Sequence, residues 1–166
     1  VYKRQVHILG YFVDAEDPLF RTRLTRLREA RLARAHRIVE NLRDAGYLLS
    51  IDDVLALADG GSVGRSHVAR ALVGNGHARD IPDAFERFIG RDRPFYLAKP
   101  VEEPSSVIGT ILHAGGVPVL AHPGVTDVDD ALSDLVSAGL EGLEVYHPEH
   151  TPQMRSHYAA LAADLG

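Results

Sequence analysis

Two histidines lie in or directly after short apolar runs of the sequence. His122 follows the run at 117–121, and His7 lies inside the run at 6–12. A side chain at the carboxyl end of a parallel strand points to the region where α/β folds build their sites, and imidazole is the commonest metal ligand. A hydrogen-bonded histidine that closes a turn or pairs within the core fits the same positions. The pattern alone leaves both interpretations open.

A carboxylate and two further histidines follow in the last part of the chain. Glu144 lies in the apolar run at 143–146, and a buried carboxylate must be paired, protonated or bound to a cation. His147 and His150 come next, at a spacing that differs from the helical zinc-protease motif. If neighbouring strands are parallel, these side chains share a face with His122. Substrate contact by Glu144 and His150 and plain structural pairing both remain open.

A glycine-rich stretch at 60–67 precedes a predicted helix. Its glycine spacing, and arginine in place of lysine, exclude a Walker A loop. Free N–H groups at a helix start still favour an anion, and Arg65 offers a bidentate fork for phosphate oxygens. His67 adds another donor. The alternative is an ordinary capped helix with a surface arginine.

Charge is distributed unevenly along the chain. Residues 1–50 carry 10 basic and 6 acidic side chains, whereas residues 101–166 carry 1 and 10, within a net charge of −5. Eight of the basic residues are arginines between positions 21 and 43. They could contact a nucleic-acid backbone, or form a solvated helix face. The acidic last third could gather divalent cations, or be solvated surface.

Hydrophobic periodicity predicts an α/β fold with a helical insertion. The first part is expected to form a buried strand at 6–12, a helix at about 20–45 that Gly46 ends, and three short helices at about 51–59, 66–73 and 80–90. The second part is expected to form helices at about 104–114, 126–139 and from 151, with strands at 117–121 and 143–146 between them. Ser50 with Asp53, and Thr126 with Asp129, have the spacing of capping boxes. This order predicts βαβ units and a parallel sheet, and divides the chain at 1–19, 20–95 and 96–166.

The composition is that of a globular protein, with 45% hydrophobic and 25% charged residues in a chain of 166. Cysteine is absent, which excludes disulfides, a thiolate nucleophile and cysteine-based zinc or iron–sulfur sites. No apolar run approaches the roughly 18 residues of a membrane span, and no signal-peptide pattern is present. We therefore expect a cytoplasmic protein without membrane association. Because Val1 is not an initiator methionine, we also expect an internal part of a longer protein.

Four stretches in order resemble one known family. They are VHILGYF at 6–12, GRSHVARALV at 64–73, AGGVPVLAHPG at 114–124 and GLEGLEVY at 139–146. Together they resemble the PHP superfamily (polymerase and histidinol phosphatase), in its branch of nucleotide phosphoesterases with a helical insertion. The resemblance covers nearly the whole chain.

The resemblance implies a partial distorted (β/α)7 barrel, TIM-like, with an inserted helical subdomain. It implies that His7 and His122 are metal ligands for divalent Mn, Fe, Zn or Mg. It also implies that the insertion around Arg65 and His67 covers the site and helps to hold a nucleotide phosphate. The implied substrates are 3′,5′-bisphosphate nucleotides or the 5′ ends of short RNA.

The sequence departs from the family pattern in its metal ligands. The family's His-x-His and Asp-x-His motifs are absent, which leaves two of the expected ligands. We therefore expect this chain alone to be inactive and the intact protein to be the enzyme. Two alternatives remain open: a noncatalytic PHP-like module that binds nucleic acid or a polymerase, and a histidinol-phosphate phosphatase.

Overall fold

A computed structural model describes residues 6–126 and 128–165. The chain divides into two compact units. Unit 1 contains the described residues up to Thr22 together with those from Glu102 onward, and unit 2 is Arg23–Val101. Unit 1 carries the sheet, and unit 2 is helical. None of the helices in the described ranges has the length and apolarity of a membrane span.

The sheet of unit 1 has three short strands in the order β1-β2-β3. These are β1 (Ile8–Tyr11), β2 (Val117–Leu120) and β3 (Gly142–Leu143). β2 and β3 are parallel, as predicted for a βαβ unit. β1 runs antiparallel to β2, with Ile8 opposite Leu120, an orientation that the sequence analysis did not predict.

β1 is also an edge strand with little burial, which corrects the prediction of a buried strand at 6–12. Leu9 is 36% exposed and Tyr11 is 48% exposed. Phe12, just after the strand, is 87% exposed. An apolar sequence predicts β structure, but the number of neighbours that cover a strand depends on its position in the sheet.

The helices of unit 2 follow the predicted boundaries closely until residue 84. Helix α1 is Pro18–Asp44, and all of it except the first turn and a half belongs to this unit. Helix α2 is Ile51–Ala58, α3 is Arg65–Gly74 and α4 is Ile81–Ala84. Ser50 caps α2 with Asp53 in the predicted capping box. The predicted helix at 80–90 instead continues from α4 as a π-helix, Phe85–Ile89. The apolar faces of these elements pack together through Ile38, Leu42, Val54, Val68, Leu72 and Ile89.

Besides the start of α1, the described residues of unit 1 form four helices beside the sheet. They are α5 (Pro104–His113), α6 (Pro123–Thr126), α7 (Leu132–Ser137) and α8 (Pro152–Leu165), with a 3₁₀ turn at Asp129–Ala131. The core between them contains Ile108, Leu120, Val128, Leu132 and Leu135. The predicted cap of a helix at 126–139 by Thr126 is wrong, because Thr126 closes α6 and its hydroxyl donates to the carbonyls of His122 and Pro123.

One buried carboxylate in unit 2 predicts a pH dependence of stability. Asp83 is 4% exposed and accepts from the Arg79 backbone N–H at 2.9 Å, and from the Arg87 and Arg79 guanidinium groups at 3.1 and 3.2 Å. The backbone N–H first, and the two arginines after it, hold the pKa of this carboxyl below its usual value of 3.8 against the opposing effect of burial. A lowered pKa means that the folded state favours the charged form.

We expect the stabilisation from Asp83 to be complete above pH 3.8 and to vanish as the pH falls through the lower folded-state pKa. The measurement is the urea concentration at the midpoint of unfolding, determined for wild type and Asp83→Asn at pH 6, 4, 3 and 2. The gap between the two proteins should be widest at pH 6 and narrow in acid. A gap that stays constant down to pH 2 would contradict an ionised Asp83 in the folded state.

Candidate functional site

The antiparallel pairing of β1 and β2 brings two of the predicted histidines together in unit 1. His7 immediately precedes β1, and His122 comes two residues after β2 ends at Leu120. Because Ile8 pairs with Leu120, the start of one strand meets the end of the other. The Nδ1 atom of His7 lies 3.1 Å from Nε2 of His122, and the ring centroids are 5.0 Å apart at an interplanar angle of 84°.

His122 is held in an uncommon backbone conformation by Glu144. Its φ is +33°, in the left-handed region that non-glycine residues seldom occupy. The backbone N–H of His122 donates to the Glu144 carboxylate at 2.7 Å. The His122 Nδ1 atom is buried and has no hydrogen-bond partner within the part of the chain that the structure describes. Such strain and unsatisfied polarity are typical of functional sites.

His150 and His147 extend this group, but in different ways. His150 is 3% exposed, its Nδ1 lies 2.9 Å from the Val145 carbonyl, and its Nε2 accepts from the Gly124 backbone N–H at 3.3 Å. Both of its ring nitrogens therefore have protein partners, and its role in substrate binding stays a prediction. The His147 ring lies 5.2 Å from that of His122. Sequence analysis placed His147 with Glu144 and His150 on the face of His122 and left substrate contact and structural pairing open.

The spacing of the His7 and His122 nitrogens suits two adjacent ligands of one ion. Nitrogens that each lie about 2.1 Å from a metal stand roughly 3.0–3.4 Å apart when the angle between them is about 90–110°. The observed 3.1 Å falls in that interval. Within 6–126 and 128–165, no group of three or more histidine, aspartate or glutamate side chains could hold an ion. These two residues therefore fit part of a metal site, and the assignment of both as ligands stays a prediction.

Arg65 opens α3 in unit 2 and is fixed from three sides. Its Nη1 donates to the Ile89 carbonyl at 3.1 Å. Its guanidinium carbon lies 5.6 Å from the centre of the Phe85 ring and 5.2 Å from that of Tyr96. Contacts of this kind favour a cation over an aromatic face and restrict the orientation of the guanidinium fork.

His67 closes the start of α3 instead of leaving it free. Its Nδ1 accepts from the backbone N–H of Gly64 at 3.1 Å. The Gly64 N–H is therefore used within the helix start. Because Nδ1 is the acceptor, the proton of a neutral His67 ring is on Nε2, which can donate to a ligand. Phosphate contact by His67 stays a prediction.

Three further cations, which sequence analysis did not assign to a site, lie near Arg65 in unit 2. Burial and then the charge of Arg65 lower the pKa of Arg34 below its usual value. Partial burial, with the charges of Arg31, Arg34 and Arg65, lowers the pKa of Lys99 from its usual 10.5. We call Arg31, Arg34, Arg65 and Lys99 the cation cluster. Like charges held together in this way are stabilised by an anion.

The π-helix next to Arg65 depends on a glycine. The Gly90 N–H donates to the Phe85 carbonyl at 2.8 Å, which closes the wider turn that aligns Phe85 and the Ile89 carbonyl with Arg65. A Cβ on Gly90 would lie 2.4 Å from the Phe85 carbonyl oxygen. Backbone cannot yield to such a contact without a local shift of the turn.

We expect Gly90→Ala to destabilise the protein by about 1–3 kcal/mol, because the added methyl group forces this turn open. The measurement is chemical unfolding. Gly74→Ala is the matched control, since a Cβ at this helical position meets nothing within 4 Å and alanine favours helix. Equal stability of Gly90→Ala and Gly74→Ala would contradict the role of Gly90 in the turn.

Comparisons with known proteins identify relatives over nearly the whole chain. No protein-family model matches the sequence. The chain is 31% identical over 98% of its length to the 3′,5′-nucleoside bisphosphate phosphatase of Chromobacterium violaceum. It is 34% identical over 95% of its length to the 5′-3′ exoribonuclease Rnm of Salmonella typhimurium.

A solved structure matches as well. A Bifidobacterium adolescentis protein assigned as a metal-dependent phosphoesterase superposes with a TM-score of 0.83 at 32% identity, over 96% of this chain. The chain spans less than two thirds of each of these proteins: 59% of the phosphatase, 56% of the exoribonuclease and 59% of the solved structure.

Proposed function

Because this chain is a relative of the PHP-superfamily phosphoesterases, we propose that the full-length protein is a metal-dependent phosphoesterase. Its substrates are 3′,5′-bisphosphate nucleotides or the 5′ ends of short RNA, in keeping with the activities for which the two relatives are named. The observation that carries this proposal is the 3.1 Å approach of His7 and His122. Residues 1–19 and 96–166 belong to a (β/α)7 barrel in this proposal, and 20–95 to an inserted subdomain.

In unit 1, His7 and His122 hold a divalent ion, for which Mn, Fe, Zn and Mg are the candidates. When bound, such an ion supplies Lewis-acid activation of water and of phosphoryl oxygens. Glu144 keeps the His122 backbone in its left-handed conformation through the 2.7 Å hydrogen bond, so it positions the imidazole. His150 fixes the segment at Gly124 against the carbonyl of Val145.

In unit 2, the cation cluster holds a phosphate group of the nucleotide. Arg65 presents a fork whose plane is set by Phe85 and Tyr96, and planar bidentate contact is the geometry that phosphate oxygens favour. His67 donates from Nε2. After burial, repulsion among these cations contributes to the lowered pKa of Arg34 and of Lys99, and binding of a phosphate relieves this repulsion.

The test is phosphate release by the full-length protein from adenosine 3′,5′-bisphosphate, adenosine monophosphates, a 5′-phosphorylated RNA 10-mer and histidinol phosphate. We expect turnover of the bisphosphate or the RNA, loss of turnover in EDTA and recovery with excess Mn²⁺. This chain alone should release no phosphate, because it lacks most of the ligands. Turnover that EDTA leaves unchanged, or turnover of histidinol phosphate alone, would contradict the proposal, and no turnover at all would favour the noncatalytic module.

A further inference from the structure

Three arginines of α1 form a line on one side of the helix, and two of them, Arg26 and Arg37, are not used by the proposed site. Arg26 and Arg37 are eleven residues apart, which places them within about 20° of each other around the axis and about 16 Å apart along it. Arg34 lies roughly 60° to the side of Arg37. We call Arg26, Arg34 and Arg37 the arginine stripe. Arg26 and Arg37 are exposed, and Arg34 is half-buried.

The stripe is not neutralised by carboxylates. Glu29 and Glu40 follow Arg26 and Arg37 by three residues, a spacing at which helical side chains can pair. Within the described part of the chain, neither arginine makes an ion pair with them or with another carboxylate. A solvated helix face usually mixes charges that pair across such spacings. Here the positive charge stays available to a partner.

Arg34 links the stripe to the cation cluster. Its Nε donates to the Leu97 carbonyl at 2.7 Å, two residues before Lys99, and Arg34 also interacts electrostatically with Arg65 and Lys99. The stripe therefore continues, within unit 2, the surface that the proposed function assigns to a phosphate. Next to it, the Tyr96 ring lies against the Arg65 guanidinium. A basic track that starts at an aromatic-flanked phosphate position is the arrangement that single-stranded nucleic acids favour.

We propose that the arginine stripe binds the phosphodiester backbone of single-stranded RNA, continuing from the phosphate held by the cation cluster. This inference rests on the proposed function and adds the surface that binds the RNA chain beyond its 5′ end. Arg26 and Arg37 contact phosphates, and phosphate contacts carry no base specificity. Arg26 and Arg37 distinguish RNA from adenosine 3′,5′-bisphosphate, because the bisphosphate is held by the cation cluster, to which Arg34 belongs.

The test measures fluorescence anisotropy of a 3′-fluorescein-labelled, 5′-phosphorylated RNA 10-mer with this chain in EDTA, from 50 to 300 mM KCl. The stripe variant is Arg26→Gln with Arg37→Gln. The control is Arg28→Gln with Arg43→Gln, which removes the same charge from other faces of α1. Loss of two phosphate contacts should weaken binding on the order of 25-fold at 0.1 M salt and reduce the salt slope by about 1.4. The control double variant should change the affinity for the RNA by less than about twofold.

Competition by adenosine 3′,5′-bisphosphate separates this inference from the proposed function. We expect the stripe variant to bind the bisphosphate as wild type does. Equal loss of RNA affinity in the two double variants would overturn the stripe, since net charge would then explain the binding. Stripe-dependent sedimentation with phosphatidylserine vesicles, without RNA binding, would overturn it in favour of a membrane surface. If wild type bound neither RNA nor bisphosphate, the proposed function would fail together with the inference.

Discussion

Replacing His122 with asparagine is expected to lower phosphate release by the full-length protein by at least about 100-fold, at nearly unchanged stability. Removal of a residue that only supports a metal ligand already lowers metal affinity or activity by about 10–100-fold, and loss of the ligand itself lowers it further. Asparagine tolerates the left-handed φ of +33° at this position, so the backbone and its bond to Glu144 can persist. The measurement pairs initial rates in excess Mn²⁺ with a thermal unfolding curve.

His113→Asn is the matched control for this variant. His113 is an exposed histidine of unit 1 that faces Asp17 at 3.6 Å, away from the pair formed by His7 and His122. Its replacement should leave the rate within about twofold, as is usual for surface changes. A fully active His122→Asn protein, or equal losses in both variants, would remove His122 from the reaction.

Arg65→Lys is expected to raise the KM for adenosine 3′,5′-bisphosphate by about 10- to 100-fold and to leave kcat within a few-fold. Lysine keeps the charge but loses the planar fork and its stacking between Phe85 and Tyr96. Hydrogen bonds to charged groups contribute about 1.5–3 kcal/mol, which corresponds to this range of affinity. An effect on KM alone would mean that Arg65 binds ground state and transition state equally. Arg65→Ala should raise KM further.

The control for Arg65→Lys is Arg70→Lys, an exposed arginine of the same helix α3. It should leave both kinetic constants unchanged. A normal KM in Arg65→Lys would exclude bidentate phosphate contact. A loss of kcat at constant KM would instead assign Arg65 a role confined to the transition state.

The parts of the fold that local chemistry determines could be predicted from the sequence. Gly46 ends α1 with a φ of +90°, as expected of a glycine at a helix C-terminus, and the Tyr47 N–H donates back to the Leu42 carbonyl. The capping box of Ser50 and Asp53 forms as predicted. These signals depend on residues within one turn of each other, so they do not require knowledge of the tertiary structure.

The direction of β1 could not be predicted in this way. An apolar run is compatible with either orientation, and only its pairing with β2 decides that β1 is antiparallel. That pairing places His7, at the start of β1, next to His122, which follows the end of β2. The two histidines therefore do not lie at the ends of two parallel strands. The π-helix after α4 was also missed, because one extra residue in a turn leaves no mark on hydrophobic periodicity.

The cation cluster was missed for a related reason. Arg65 and His67 stand out in the sequence because they follow glycines at a helix start, whereas Lys99 has no such local signal. It joins Arg31 and Arg34 only through the packing of unit 2. The arginines of α1 did show a basic face, but periodicity alone could not distinguish a partner surface from a solvated one.

The central claim is that His7 and His122 ligate the same divalent ion, and ¹⁵N NMR of the imidazole nitrogens in the full-length protein tests it most directly. On titration of the metal-free protein with Zn²⁺, we predict that the ring resonances of His7 and His122 shift together and saturate at the same ratio of metal to protein. His113 should not move. Saturation of the metal sites with both resonances unshifted, or a shift of only one of them, would contradict the shared site.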